Sequence, residues 1–136
     1  MMTAAPARLE LAHSATSVSR ARSFVRRLCV EAGLPPEFGD TAALLTSEMV
    51  TNALLHGRSD TRLAVTTDET GLLVEVGDDD VRRPRRLRKE TDSLGGRGLW
   101  IVDHLASEWG TYPTPSGKVV WFRLDQRSVS TTLPRA

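Results

Sequence analysis

Apolar positions along this chain recur with two different periods, and the switches between the periods mark the elements. From Arg8 to His13 apolar and polar residues alternate, the spacing of a short strand. Ser14-Ala-Thr-Ser17 then offers several helix N-caps. Val18, Ala21, Val25, Leu28, Cys29 and Ala32 follow at helical spacing, with Arg20, Arg22, Arg26, Arg27 and Glu31 mostly on the other side. The pattern predicts an amphipathic helix covering something flat. Gly33 ends it, and Pro35-Pro36 prevents its continuation. The plain reading of the arginines is a solvated face; a partner surface is the second reading.

The next stretch, Thr41-Ala-Ala-Leu-Leu-Thr-Ser-Glu-Met-Val-Thr-Asn-Ala-Leu-Leu-His-Gly57, organises the chain. Ala, Leu, Met and Glu dominate it, with no proline and no internal glycine, so a helix is predicted from about Glu37 or Asp40 to His56. Apolar residues fall nearly all the way round, the signature of a buried helix. Gly57 is expected to stop it in the left-handed conformation. Glu48 and Asn52 are four residues apart and share one face, with Thr41 on the same stripe two turns earlier. A carboxylate in so apolar a helix is costly unless something pairs with it. A hydrated hard cation would do so. Mg²⁺ takes oxygen ligands from one or two side chains and keeps its other positions for water and phosphate. The competing reading is one wet face, with Glu48 in water and Asn52 bonded to a nearby loop. His56 lies where the helix dipole favours a cation, a plainer role than catalysis.

Arg62 to Thr67 alternates again, Asp68-Glu-Thr-Gly71 reads as a hairpin turn, and Leu72-Leu-Val-Glu-Val76 is the returning strand. It runs into Gly77-Asp78-Asp79-Asp80, which is a solvated acidic turn, a metal cluster or an acceptor for a ligand. Residues 81–94 lose all periodicity, and 82–89 carry six basic residues among eight. Such a run is normally a solvated loop. Basic loops also contact phosphate, and no aromatic is interleaved to make a stacking platform. Leu94-Gly-Gly-Arg-Gly98 then opens into a helical stretch, Leu99 to Ala106. A glycine-rich turn at a helix start presents backbone N–H groups to an anion, although glycines also serve plain turns. No Gly-Lys-Ser/Thr follows it, and no strand leads directly into it, so it is neither a Walker A loop nor a dinucleotide fingerprint. Glu108 to Tyr112, a turn over 113–117 and Lys118 to Leu124 make a final hairpin.

This order predicts an α/β (α+β) two-layer sandwich, a mixed, mainly antiparallel sheet covered on one face by about three helices. Residues 1–7 and 126–136 read as flexible tails around a domain at 8–125. At 136 residues one domain is expected. A formal net charge of +1 argues against a protein that is basic as a whole. The lone cysteine, Cys29, excludes an intrachain disulfide and a Cys-based zinc site, and its place on an apolar face suits core packing. No apolar run nears the roughly 20 residues needed to cross a bilayer, and the N-terminus has no signal-peptide core, so a cytoplasmic location is expected.

The polar pieces fall at three places: Glu48 with Asn52, Asp78, and the glycine-rich helix start. Together they would make a nucleotide site. Glu48-x-x-x-Asn52-Ala-x-x-His-Gly57, then Val76-x-Asp78, then Gly96-x-Gly98-Leu99 resembles the Bergerat-fold (GHKL) ATP-binding family of gyrase, the heat-shock chaperone, histidine kinases and MutL. Within it, Thr46–Gly57, Gly96-Arg-Gly-Leu-Trp-Ile-Val-Asp103 and Gly117-Lys-Val-Val-Trp-Phe122 are similar to the single-domain anti-sigma-factor serine/threonine kinases of actinobacterial type. The resemblance covers about residues 9 to 124. It implies that Asn52 ligates Mg²⁺ on the ATP phosphates and that Glu48 is the general base or orients a hydroxyl or water for in-line attack. It implies that Asp78 accepts a hydrogen bond from the adenine amino group. Gly96, Arg97, Gly98 and Leu99 would line the nucleotide, Gly96 and Gly98 offering N–H groups to phosphate. Residues 82–89 would belong to an ATP lid.

Two departures stand out. The family's second box usually reads Asp-x-Gly-x-Gly, and Asp78-Asp-Asp-Val-Arg has neither glycine. A threonine common in the last hairpin is replaced by Val119 or Val120, removing a hydroxyl near the adenine. His13, His56 and His104 are scattered and lack the setting of a phosphoacceptor. The resemblance implies a kinase that uses ATP and Mg²⁺, phosphorylates an anti-sigma-factor antagonist, binds a sigma factor and is often a homodimer. The alternative is a non-catalytic module that regulates its partner by contact. A nucleic-acid contact through 82–89 is a small third reading.

Overall fold

The computed structural model describes residues 5–57, 60–79 and 100–127. The chain runs β1 (Ala7–Leu11), α1 (Thr16–Glu31), α2 (Pro36–His56), β2 (Thr61–Asp68), β3 (Gly71–Asp78), β4 (Glu108–Thr114) and β5 (Gly117–Asp125). Residues 100–105 are also helical.

The first helix forms as its spacing predicts. Ser17, Ala21, Val25 and Cys29 are buried, one per turn along a single stripe. The four arginines of the opposite side are exposed. Gly33 stops the helix in the left-handed region at φ 78°. There the N–H of Leu34 reaches back to the Cys29 carbonyl and that of Gly33 to Val30, each at 3.0 Å. These two bonds close a Schellman motif, which satisfies carbonyls that the helix end would leave bare. Pro36 then opens α2 at its first turn, where a missing N–H costs nothing. This start lies slightly before the one expected from composition.

The five strands form one sheet in the order β1-β2-β3-β5-β4. All four pairings are antiparallel, so the sheet of the described residues is not mixed. Hairpin turns explain two of the neighbours, β2 with β3 and β4 with β5; β1 pairs with β2 across both long helices, and β5 pairs with β3 across residues 79–107. The β2–β3 turn is set by Asp68, whose Oδ1 accepts from the Thr70 N–H at 2.8 Å, the Thr70 hydroxyl at 2.7 Å and the Gly71 N–H at 3.1 Å. The Thr70 contacts hold this carboxyl below the usual Asp range. Pro113 sits in β4, an edge strand, where a lost ladder donor is tolerated.

Period-2 alternation puts Leu63 and Val65 of β2, Val74 and Val76 of β3, and Val120, Phe122 and Leu124 of β5 in one buried layer. Helices α1 and α2 pack on this face and on each other. Val102 is buried in the same core, with Ile101 and Leu105 against it, so the third helical stretch joins this layer too. The opposite sheet face carries Arg8, Glu10, Arg62 and Tyr112, all exposed. Among the described residues no helix is long and apolar enough to cross a membrane.

Cys29 lies in the core at 1% exposure, as its pattern position suggests. Burial pushes its thiol up from 9.0 to about 11. Ionisation therefore favours the unfolded chain, so this contribution to stability is intact below about pH 9 and declines as pH rises towards 11. Native protein at pH 8 should leave a thiol reagent unconsumed, and one equivalent should react after unfolding in denaturant. Rapid labelling of the native protein would contradict this burial.

Candidate functional site

Helix α2 has more apolar residues than one face can bury, and the structure divides them. Phe38, Ala42, Leu45, Met49, Val50 and Ala53 go into the core. Leu44 and Leu55 stay 42% and 51% exposed. Glu48 and Asn52 lie between these extremes and are half-buried. The expectation of a fully buried helix thus gives way to a buried helix with one accessible stripe, on which Glu48 and Asn52 stand a turn apart.

Asn52 departs from the reading in which it bonds a nearby loop. Its Oδ1 is shielded from solvent and takes no hydrogen bond. A buried acceptor left empty costs on the order of 1–3 kcal/mol. Two other buried side-chain oxygens among the described residues share this condition, but they are hydroxyls at strand ends, Thr61 and Thr114. An amide oxygen cannot donate, so what satisfies it must be a donor or a cation. Among the described residues no three His, Cys, Asp or Glu side chains converge. Mg²⁺ is a cation that takes such an oxygen and keeps other positions for water or a ligand.

Asp78 ends β3 on the helix side of the sheet and is 1% exposed, so it is not part of a solvated turn. The strand continues two residues past the predicted Val76. A Cβ on Gly57 would lie 3.5 Å from the Asp78 Cβ and 3.4 Å from an Asp79 carboxylate oxygen. The end of α2 is therefore packed directly against the end of β3. Asn52 is five residues before Gly57, about 7.5 Å along the helix. Gly57 has φ −87° and ψ 168°, an extended conformation. The left-handed stop expected there does not occur; a Cβ at this position would instead meet the Ala53 carbonyl oxygen of the same helix at 2.9 Å.

Gly117 approaches the same strand end more closely still. A Cβ there would run into the Asp78 carbonyl oxygen and come within 2.7 Å of the Asp79 Cα. The register then sets Lys118 opposite Asp78. Its Nζ donates to both Asp78 oxygens at 3.2 Å. The last-hairpin group beside Asp78 is thus an ammonium, and the expectation of Val119 or Val120 there is corrected. Strand alternation turns Val119 to the opposite sheet face, where it lines a groove with Arg62 and Tyr112, and buries Val120 in the core.

His13 was not marked by its sequence context, yet it ties this end of the molecule together. Its Nε2–H donates to the carbonyls of Leu54 at 2.9 Å and Gly57 at 3.2 Å, covering acceptors at the end of α2. His56, by contrast, is exposed in the last turn of α2. Beyond the site, the Trp109 indole N–H donates to Asp103 at 2.8 Å and anchors residues 100–105 to β4. Gly96, Arg97, Gly98, Leu99 and the basic stretch 82–89 lie outside the described residues, as does Asp80.

Asp78 thus lies against the end of α2, the helix that carries Glu48 and Asn52 on its accessible stripe. A family model described as a histidine kinase-like ATPase domain matches residues 11–124. Among solved structures, the fold is similar to the histidine kinase domain from the Erythrobacter litoralis EL346 blue-light activated histidine kinase. The TM-score is 0.57 at 24% identity, over 85% of this chain and 62% of that one. No curated protein matches the chain.

Two outcomes are expected from this geometry. Asn52→Leu should leave thermal stability unchanged or raise it by about 1 kcal/mol, because the oxygen has no bond to lose. A drop of several degrees in melting temperature would show that the amide is already satisfied. Gly117→Ala should destabilise the fold by at least about 2 kcal/mol in a denaturant titration, since the clash is with backbone that cannot turn aside.

Proposed function

The chain belongs to the histidine kinase-like ATPase domain family, and from that membership we propose that it is an ATP-dependent serine/threonine protein kinase acting as an anti-sigma factor. Its substrate would be an anti-sigma-factor antagonist and its second partner a sigma factor. The observation that carries the nucleotide site is the orphaned, shielded Oδ1 of Asn52 one turn beyond Glu48. The resemblance of Thr46–Gly57 and Gly117–Phe122 to the small anti-sigma kinases supports the choice of reaction and partners.

In this reading Asn52 offers its oxygen to Mg²⁺, which when bound neutralises phosphate charge. Asp78 accepts from the exocyclic amino group of adenine. Glu48 takes the proton of the attacking hydroxyl as its oxygen bonds to the γ-phosphorus and ADP leaves. Gly96, Arg97, Gly98 and Leu99 would contact the nucleotide, Gly96 and Gly98 through backbone N–H groups at the phosphates. Catalysis of this kind rests on positioning and electrostatics. The protein would work in the cytoplasm, alone or as a homodimer.

A contact-only regulator is the second reading, in which ATP binds weakly or not at all. It is favoured by Lys118, which already engages both oxygens of Asp78. The missing glycines after Asp78 point the same way.

Calorimetric titration separates the two. ATP should bind the native chain in a Mg²⁺-dependent manner, and Asn52→Ala should weaken binding at least tenfold. Absence of any ATP binding to the native chain would leave the contact-only reading. With a phosphoacceptor antagonist in hand, Glu48→Ala should keep ATP affinity within about threefold and cut the transfer rate by a factor of 10² or more. Undiminished transfer by that variant would remove Glu48 from the role of base.

A further inference from the structure

We propose that Lys118 is a base-reading residue of the nucleotide site, the donor half of a donor–acceptor pair whose acceptor half is Asp78; the inference rests on the ATP-binding reading above. Lys118 and Asp78 are 7% and 1% exposed, and they are the two buried charged residues among the described ones. Each is the other's partner. A buried ion pair is a poor device for stability alone, because desolvating both charges consumes most of what their attraction returns. Apolar side chains at these two register positions would continue the row made by Val76 with Val120 and Val74 with Phe122. The row instead turns charged at its last rung, where β3 ends against Gly57 and the end of α2.

The chemistry of that rung suits a purine. Adenine presents a donor, the 6-amino group, beside an acceptor, N1. A carboxylate and an ammonium side by side present the matching acceptor and donor. The ammonium carries three N–H donors and the carboxylate about four acceptor sites, so contacts within the pair can be exchanged for contacts to a base while both charges remain together. Asp78 alone would read only the amino group. With Lys118 donating to N1, the pair reads two adjacent positions of the Watson–Crick edge. A hydroxyl beside Asp78 would lack the charge that strengthens this second contact. Placement on the helix side of the sheet is not optional, since the register that seats Val120 and Phe122 in the core also turns Lys118 to that side.

The test uses 1-deaza-ATP, which keeps the amino group and has C–H in place of N1. Native protein should bind it about tenfold more weakly than ATP, the size expected for a lost hydrogen bond from a charged donor. Lys118→Met should bind the two nucleotides equally. Because this variant removes the ammonium from a buried carboxylate, the double variant Asp78→Asn/Lys118→Met is measured beside it; it keeps an acceptor for the amino group, removes both charges of the pair, and should likewise not discriminate. Equal binding of both nucleotides by the native protein would overturn the proposal. So would undiminished discrimination by either variant, since a purely structural ion pair has no means of sensing N1. Failure of the native chain to bind any nucleotide is a different result, and it would remove the proposed function itself.

Discussion

The burial of α2 is the constraint on which the rest of the molecule depends. Phe38, Ala42, Leu45, Met49, Val50 and Ala53 are held between α1 and the sheet. Each large side chain buried there contributes on the order of 1.5–3 kcal/mol. With so much area committed, the rotation of the helix about its axis is fixed. The stripe left over carries Glu48 and Asn52, so their orientation is a by-product of core packing. An unsatisfied amide oxygen can persist at Asn52 because the helix cannot turn to relieve it without exposing Leu45 or Met49.

The second constraint is the meeting of three backbone segments at one end of the sheet. Gly57 lies in van der Waals contact with the end of β3, and Gly117 approaches that strand end so closely that it tolerates no Cβ without displacement. Asp78 is caught between them. The approach serves the polar groups in two ways. It brings the end of α2 to the carboxylate, and it aligns β5 so that Lys118 stands opposite. His13 reinforces the junction from the far side through the Leu54 and Gly57 carbonyls. The placement of Asp78 and Lys118 against the end of α2 thus depends on glycines and a histidine that carry no chemistry of their own.

This arrangement bears on the two functional readings. A kinase needs Asp78 to exchange contacts when a base arrives. A contact-only regulator would keep the Asp78–Lys118 pair closed. The same geometry underlies both, and the difference between them is an energy: the cost of rearranging one buried ion pair against the gain from a bound nucleotide.

Much of this was legible in the residues themselves. The strands, both long helices and their stops follow from periodicity and from Gly33, Pro36, Asp68 and Gly71, because those signals act over a few neighbouring residues. The pairing of Glu48 with Asn52 on one face follows from helix geometry alone. Other features depend on segments distant in the chain. Composition suggested left-handed backbone at Gly57, whereas it is extended and lies against the end of β3. Alignment by resemblance placed a valine near Asp78, whereas the β3–β5 register put Lys118 there, since one step along a strand moves a side chain to the other face. The burial of Asp78, the empty oxygen of Asn52 and the clamp from His13 were likewise decided by tertiary structure. Local sequence sets which conformations each segment prefers; only packing sets which surfaces meet, and a site made of surfaces that meet is written at that level.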